Sequence, residues 1–163
     1  MTDYLKINLT LASLIAGEKN FLANASNFVA LLWQELESIN WVGFYFFDGS
    51  ELVLSVFQGK PACIRIPYGK GVCGTAYAQN KILIIEDVHK FSGHIACDSA
   101  SNSEIVLPLV SNGITYGVLD IDSPVFNRFS QSDVDGLAGL LNILLEHSDI
   151  QNLSKYYESA NPW

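Results

Sequence analysis

Hydrophobic residues recur with a helical period at both ends of the chain and alternate like strands between them. Apolar positions in residues 7–37 return about every 3.6 residues, which predicts helix with a break in residues 17–20. Residues 130–157 show the same period, and Ser130 with Asp133 resembles a capping box at the start of a final helix. We expect both helical regions to pack against the rest of the protein.

Short apolar segments bounded by turn signals predict strands in the middle of the chain. Asp48-Gly49 and Asn112-Gly113 are turn signals of antiparallel hairpins, and a glycine-rich turn at 69–74 opens a short helix. The predicted strands cover residues 40–47, 51–57, 63–66, 82–85, 105–110 and 114–122. The expected fold is α+β, with a mostly antiparallel central sheet, the N- and C-terminal helices on one face and ligand-site loops on the other.

Strand alternation separates an apolar face from one with chemical groups. In the first strand it assigns Val42, Phe44 and Phe46 to one face, and Trp41, Gly43 and Tyr45 to the other. The second set combines two amphipathic aromatic residues with a glycine that leaves room for a ligand. Ordinary aromatic packing is the alternative interpretation.

Carboxylates gather on the last hairpin. Asp120 and Asp122 share the face opposite Leu119 and Ile121, and Glu104 begins the partner strand. Two solvated acids at a strand end would give the same pattern, so spacing alone leaves both interpretations open.

Residues 91–104 show neither the helical nor the strand period and therefore predict a long loop. A long loop in a compact domain is usually functional or disordered. Phe91 and Ile95 are packable and argue against disorder. The loop places Cys97 beside Asp98, which indicates thiol chemistry; a buried free cysteine is the alternative.

Composition limits the function classes. The 163 residues predict a single domain over 1–163, with a core over about 5–150 and a frayed tail at 158–163. The formal net charge is −8, and nine Lys and Arg residues form no patch that could neutralise a phosphate backbone, so nucleic-acid binding is disfavoured. The chain start lacks signal-peptide features and no apolar run could span a membrane, so a cytoplasmic location is expected.

The spacing of the three cysteines does not resemble a zinc site. Nine residues separate Cys63 from Cys73, and 23 separate Cys73 from Cys97. A metal site from these thiols and His94 is a disfavoured alternative, and we expect no bound metal. In a reducing compartment a disulfide would be transient, catalytic or redox-sensing.

Gly69, Gly71 and Gly74 match the G-x-G-x-x-G spacing of dinucleotide sites. The preceding strand is short and polar with Pro67 near its end, and no strand–helix–strand repeat follows. A glycine turn that opens a helix is the favoured interpretation.

Several motifs closely resemble the free methionine-(R)-sulfoxide reductase family, whose members are stand-alone GAF domains. The motifs are Asn40–Tyr45, Phe57–Ile66, Gly69–Gly74, Gly93–Asp98, Ser101–Val106 and Leu119–Pro124. The resemblance spans about residues 5–150. Ser92 stands where proline is expected, and Lys70 where arginine is common.

The resemblance implies a thiol mechanism that reduces free L-methionine-(R)-sulfoxide to L-methionine. Cys97 would be the nucleophile that becomes a sulfenic acid, Cys63 the resolving thiol that forms a disulfide with it, and Cys73 a relay or alternate resolver. Neighbouring carboxylates raise the pKa of a thiol, so an acidic site suits this chemistry when one acid keeps a proton.

The resemblance also implies the partners. Acids would hold the substrate ammonium and polarise the sulfoxide, an aromatic wall would contact the S-methyl group, and backbone amides would receive the carboxylate. The corresponding residues are Glu104, Asp120 and Asp122 (acids), Trp41 and Tyr45 (wall), and Ile95 and Ala96 (amides). No bound cofactor is expected; thioredoxin, recharged from NADPH, would be the external reductant. A homodimer through the terminal helices is expected, and a non-catalytic GAF sensor that binds a small ligand is the alternative function.

Overall fold

A computed structural model describes residues 2–93, 95, 97–153 and 155 of the protein. The helices are α1 (Tyr4–Leu14), α2 (Phe21–Glu35), α3 (Gly71–Gln79) and α4 (Gln131–His147). The strands are β1 (Trp41–Phe47), β2 (Glu51–Gly59), β3 (Arg65–Pro67), β4 (Leu83–Ile85), β5 (Ser103–Ser111) and β6 (Ile114–Ser123). All six predicted strands are confirmed, with ends that differ from the prediction by at most two residues. A 3₁₀ turn, Val88–Lys90, follows β4.

The strands form one sheet in the order β3-β2-β1-β6-β5-β4, and every neighbouring pair is antiparallel. Helices α1, α2 and α4 cover one face of this sheet. The other face carries α3 and the loops around residues 60–70 and 91–102. The predicted α+β arrangement is therefore confirmed, and α3 shares the loop-bearing face.

Side-chain caps decide where the first two helices begin. The Asp3 carboxylate accepts from the Lys6 backbone N–H at 3.0 Å, so α1 starts at Tyr4, three residues before the predicted start. The Asn20 side chain accepts from the Ala23 N–H at 3.0 Å and starts α2. The break predicted in residues 17–20 is confirmed.

The capping box at the start of α4 is present, with the Ser130 N–H donating to the Asp133 carboxylate at 2.8 Å. The predicted length of this helix was wrong, because α4 ends at His147; among the described residues beyond it, 151–153 and 155 are again helical. The predicted end at 157 and the tail at 158–163 lie outside the described residues.

Contacts with the α1–α2 connection explain why α4 stops. Ser148 is extended, and its hydroxyl accepts from the Asn24 side chain at 2.8 Å. The Asp149 N–H donates to the Lys19 carbonyl at 2.9 Å. These long-range hydrogen bonds take the place of the backbone hydrogen bonds that would continue the helix. They could not be predicted from the local sequence.

The helix-covered face of β1 is apolar, as alternation predicts. Val42, Phe44 and Phe46 are fully buried against the helices, and the rings of Phe44 and Phe46 stack with centroids 5.7 Å apart. Each such side chain contributes roughly 1.5–3 kcal/mol through burial. No helix in the described part of the chain has both the length and the apolar character needed to cross a membrane.

Candidate active site

The three predicted carboxylates lie together on β5 and β6. Glu104 pairs with Asp122 across the two strands, and Asp120 lies two residues before Asp122 on the same face. Glu104 and Asp120 are only 5% and 6% exposed. Solvated acids at a strand end therefore do not describe this cluster.

Burial controls the protonation of these acids. It raises the pKa of Glu104 and of Asp122 well above the usual carboxyl range, and the charge of Asp120 adds to both shifts. The pKa of Asp120 is raised by burial to about 6, against hydrogen bonds from Cys73 and Glu104 that favour its ionised form. Burial therefore favours the protonated forms of all three acids, against the ionised state that exposed carboxyls prefer.

Asp120 has one oxygen that needs a partner. Its Oδ1 is buried and has no hydrogen-bond partner among the described residues. Asp120 lines both of the small cavities in this region. Because an unpaired buried acceptor is costly, this oxygen marks a position for a donor on a ligand.

The thiols are divided between a disulfide and a buried free cysteine. Cys63 and Cys97 form a disulfide with their Cα atoms 5.5 Å apart, which is the pair that the family resemblance implied. Cys73 is free and 4% exposed, and its thiol lies 3.9 Å from a Glu104 carboxyl oxygen. Burial, followed by the charges of Asp120 and Glu104, raises the pKa of Cys73 well above its usual value.

Trp41 and Tyr45 form one wall of the site, as their shared face predicted. The Trp41 ring stacks on Tyr45 at 5.8 Å and on Phe57 at 5.4 Å between centroids. The Tyr45 hydroxyl donates to the Cys63 carbonyl at 2.9 Å, and the Trp41 indole N–H donates to the Lys60 carbonyl at 3.1 Å. The wall therefore also anchors the segment that carries Cys63.

The space at Gly43 is not a ligand space, so that part of the prediction was wrong. A Cβ at this position would lie 2.6 Å from Cη2 of the Trp41 ring and would also meet the Phe57 side chain. Glycine is required because Trp41 lies across the strand.

Polar residues that the sequence did not single out hold the loop after Cys97. The Asp98 carboxylate accepts from the Ala100 N–H at 2.9 Å and from the Asn40 amide at 3.2 Å, and Lys60 Nζ lies 3.7 Å from it. The same Asn40 amide donates to Ser101 at 3.0 Å. The Ala100 N–H, Asn40 and Lys60 lower the pKa of Asp98. Asn40 lies 58 residues from Asp98 in sequence, so no local pattern could reveal this contact.

Ile95 and the glycine turn pack against each other. A Cβ at Gly71, whose φ is +61°, would lie 3.2 Å from the Ile95 side chain, and a Cβ at Gly74 would meet the Pro67 carbonyl. These glycines permit close packing, which is why their spacing imitates a dinucleotide motif. Ala96 and His94 were predicted in this loop and lie outside the described residues.

The cavity between these groups is small. Cys97 lines two adjoining cavities of about 30 and 20 Å³, whereas Cys63 lines neither. The larger of these holds roughly one or two waters. Tyr45, Asp120 and Asp122 line both. A separate cavity of about 450 Å³ near the start of α1 and α4 contains none of the predicted site residues.

The metal ligands considered from sequence are not available together, because Cys63 and Cys97 are joined. Among the described residues, ligand atoms of Cys73, Glu104 and Asp120 lie within 4.8 Å of one another. Ligand atoms at this spacing could bind either a metal cation or the ammonium group of a ligand.

Residues 26–144 match the model of the GAF domain family. The chain is also 53% identical over 157 residues to the free methionine-R-sulfoxide reductase of Escherichia coli, covering 96% of this chain and 95% of that protein. The chain belongs to the free methionine-(R)-sulfoxide reductase family. The resemblance seen in the sequence motifs is thereby confirmed.

Solved structures of this family have the same fold. The fRMsr of Staphylococcus aureus in complex with substrate is 46% identical, with a TM-score of 0.86 over 90% of this chain and 96% of that one. The free methionine-R-sulfoxide reductase of Neisseria meningitidis in complex with its substrate is 40% identical, with a TM-score of 0.84 over 96% and 91%. The family favours an enzyme over the sensor alternative.

Proposed function

We propose that the protein reduces free L-methionine-(R)-sulfoxide to L-methionine by thiol chemistry, with thioredoxin as the external reductant. The observation that carries this proposal is the Cys63–Cys97 disulfide beside a cavity lined by three buried carboxylates. The named activity of the Escherichia coli relative, and the substrate complex of the Neisseria meningitidis structure, support the same reaction here.

The three acids have different roles towards the substrate. Asp120 is ionised above about pH 6, and its unpartnered Oδ1 accepts from the substrate ammonium. Glu104 and Asp122, whose pKa values burial raises, hold a proton more readily than exposed carboxyls do. One of these protons is donated to the sulfoxide oxygen, which makes the sulfur a better electrophile.

The reaction cycle uses the thiols of Cys97 and Cys63 and the dithiol of thioredoxin. The Cys97 thiolate bonds to the sulfoxide sulfur, and the protonated oxygen leaves as water. A water molecule then attacks the Cys97 sulfur, the bond to the methionine sulfur breaks, and methionine leaves while Cys97 becomes a sulfenic acid and one proton is released. The Cys63 thiol then displaces water from this sulfenic acid and forms the observed disulfide. Two electrons and two protons from thioredoxin restore both thiols.

Cys73 is a poor candidate for the first nucleophile. It is buried, and its raised pKa leaves little thiolate at neutral pH. It remains a thiol while the other two cysteines are joined. We therefore assign the attack to Cys97 and keep Cys73 beside Glu104 as a hydrogen-bond donor to the acid cluster.

Substrate entry requires the loop with Cys97 to move. A cavity of about 30 Å³ is far below the roughly 300 Å³ of an ordinary small-molecule site. Reduction frees Cys97 from Cys63, which removes the covalent link between the Cys97 loop and the segment that carries Cys63.

The exposed surface and the thiol chemistry also bear on the oligomeric state and the cellular compartment. Leu5 and Leu9 are 71% and 67% exposed on α1, which supports a homodimer through the terminal helices, to be measured by analytical ultracentrifugation. The thiol cycle needs a reducing compartment, which supports a cytoplasmic location. No bound cofactor enters the scheme.

The deciding assay couples the purified protein to thioredoxin, thioredoxin reductase and NADPH. The substrates are the free R epimer, the free S epimer and an R form that is N-acetylated and amidated. We expect turnover of the free R epimer alone, because blocking either charge leaves buried groups of the site unpaired. No turnover of any substrate, also with dithiothreitol as reductant, would favour the ligand-binding module instead.

A further inference from the structure

The outer side of the disulfide carries exposed apolar side chains. Ile64, which follows Cys63 directly, is 70% exposed, and Tyr68 is 55% exposed. Both flank β3, which is the edge strand of the sheet. The segment of residues 60–70 thus presents apolar groups along an open sheet edge, a feature that natural proteins use to add a partner's backbone.

The same segment differs in charge from the rest of the protein. It contains three of the nine Lys and Arg residues and no Asp or Glu, while the whole chain has a net charge of −8. Asp48 and Glu51 pair with Arg65 at 2.8 and 2.9 Å, so its charge is already compensated. Lys60 is 72% exposed and lies 3.7 Å from Asp98, so its charge is only partly compensated, and the exposed Lys70 has no ion pair among the described residues. Lys70 is therefore the main charge offered to a partner.

The two cysteines of the disulfide differ in their surroundings. The Cys63 carbonyl is held by the Tyr45 hydroxyl, and the Lys60 carbonyl by the Trp41 indole, so the segment has a fixed backbone. Cys97 lines the inner cavities and Cys63 does not. Cys63 is half-buried, lies outside both cavities and precedes the exposed Ile64.

We propose that residues 60–70 are the docking surface for an acidic dithiol protein that reduces the Cys63–Cys97 disulfide by attacking Cys63. The inference rests on the proposed function, because it assigns the reductant of that reaction. The partner's thiolate bonds to Cys63 and releases the Cys97 thiolate; the partner's second thiol then releases Cys63 and leaves the partner oxidised, so two electrons and two protons reach the enzyme.

The test compares two reductants on the same variants. Ile64→Asp and Lys70→Glu are assayed with a purified thioredoxin of acidic pI and, separately, with dithiothreitol. We expect each variant to lower kcat/KM for thioredoxin by about tenfold, as loss of an interface anchor does, and to leave the dithiothreitol rate unchanged. Raising ionic strength should weaken the thioredoxin reaction of the unaltered protein and have less effect on the Lys70→Glu variant.

Two control variants make the same kinds of substitution outside residues 60–70. Ile114→Asp changes a 56% exposed residue on β6, three strands from β3, and Lys81→Glu makes an equal charge change after α3. Both should keep the thioredoxin rate.

Each other outcome is decisive. Equal thioredoxin rates in all variants, equal losses with both reductants, or a changed oligomeric state of Ile64→Asp would overturn the docking assignment. Turnover of the unaltered protein with dithiothreitol but not with thioredoxin would also overturn it and leave the proposed reaction standing. Absence of turnover with both reductants would refute the reaction itself.

Discussion

Replacing Asp120 by Asn should make the protein more stable and less active. Asp120 is buried, and burial raises its pKa to about 6 from the usual 3.8 of an aspartate. An acid that binds its proton more tightly when folded favours folding at low pH, and that advantage is lost as pH rises from about 4 to about 6. Each pKa unit corresponds to about 1.4 kcal/mol, so ionised Asp120 costs roughly 3 kcal/mol of folding free energy at neutral pH.

The measurement is the free energy of unfolding in urea, with the disulfide intact, for Asp120→Asn and the unaltered protein. We expect the variant to gain about 3 kcal/mol at neutral pH and little below about pH 4, where Asp120 is protonated in both states. The same variant lacks the charge for the substrate ammonium. Its kcat/KM should fall about 100-fold or more, because truncating one partner of a buried charge pair costs about 2–5 kcal/mol.

The reasoning would be refuted in either of two ways. If the variant loses the same stability at both pH values, Asp120 acts as a structural hydrogen-bonding group and not as a strained charge. If kcat/KM for the free R epimer stays unchanged, the ammonium is held elsewhere. Glu146→Gln is a suitable control, because this exposed residue lies on α4, across the sheet from the cavity.

Three further substitutions test the remaining roles. Cys97→Ser should abolish turnover, and single turnover at the normal rate would remove Cys97 as nucleophile. Cys63→Ser should release about one methionine per chain and then stall with thioredoxin, so continued recycling would identify another resolving thiol. Gly43→Ala should cost about 1–3 kcal/mol of stability and raise KM, because the new methyl group displaces the Trp41 ring; a normal melting temperature and KM would contradict the contact.

Much of the fold was readable because secondary structure depends on local periods. The alternation in β1 and β6 correctly placed Phe44 in the core and Trp41 and Asp120 on the other face. The Asp48-Gly49 turn correctly joined β1 to β2. The end of α4 could not be read in this way, since Ser148 leaves the helix for a hydrogen bond with Asn24, 124 residues earlier.

In the candidate site, too, local features were predictable from the sequence and contacts between distant segments were not. The residue types and their strand positions indicated thiol chemistry beside acids, and the motifs indicated the family. The sequence could not show that Trp41 fills the space over Gly43, or that Asn40 holds Asp98, because these contacts join distant segments.

By itself the sequence determined which strands form and which face each strand presents, because both follow from local period, and its motifs indicated the family whose resemblance implied the site residues. Only the tertiary structure decided which acids have raised pKa values, which thiol stays free and which cysteine of the disulfide lines the cavities. Those properties depend on burial and on neighbours from other segments, and burial exists only once the sheet, α3 and the two loops are packed together.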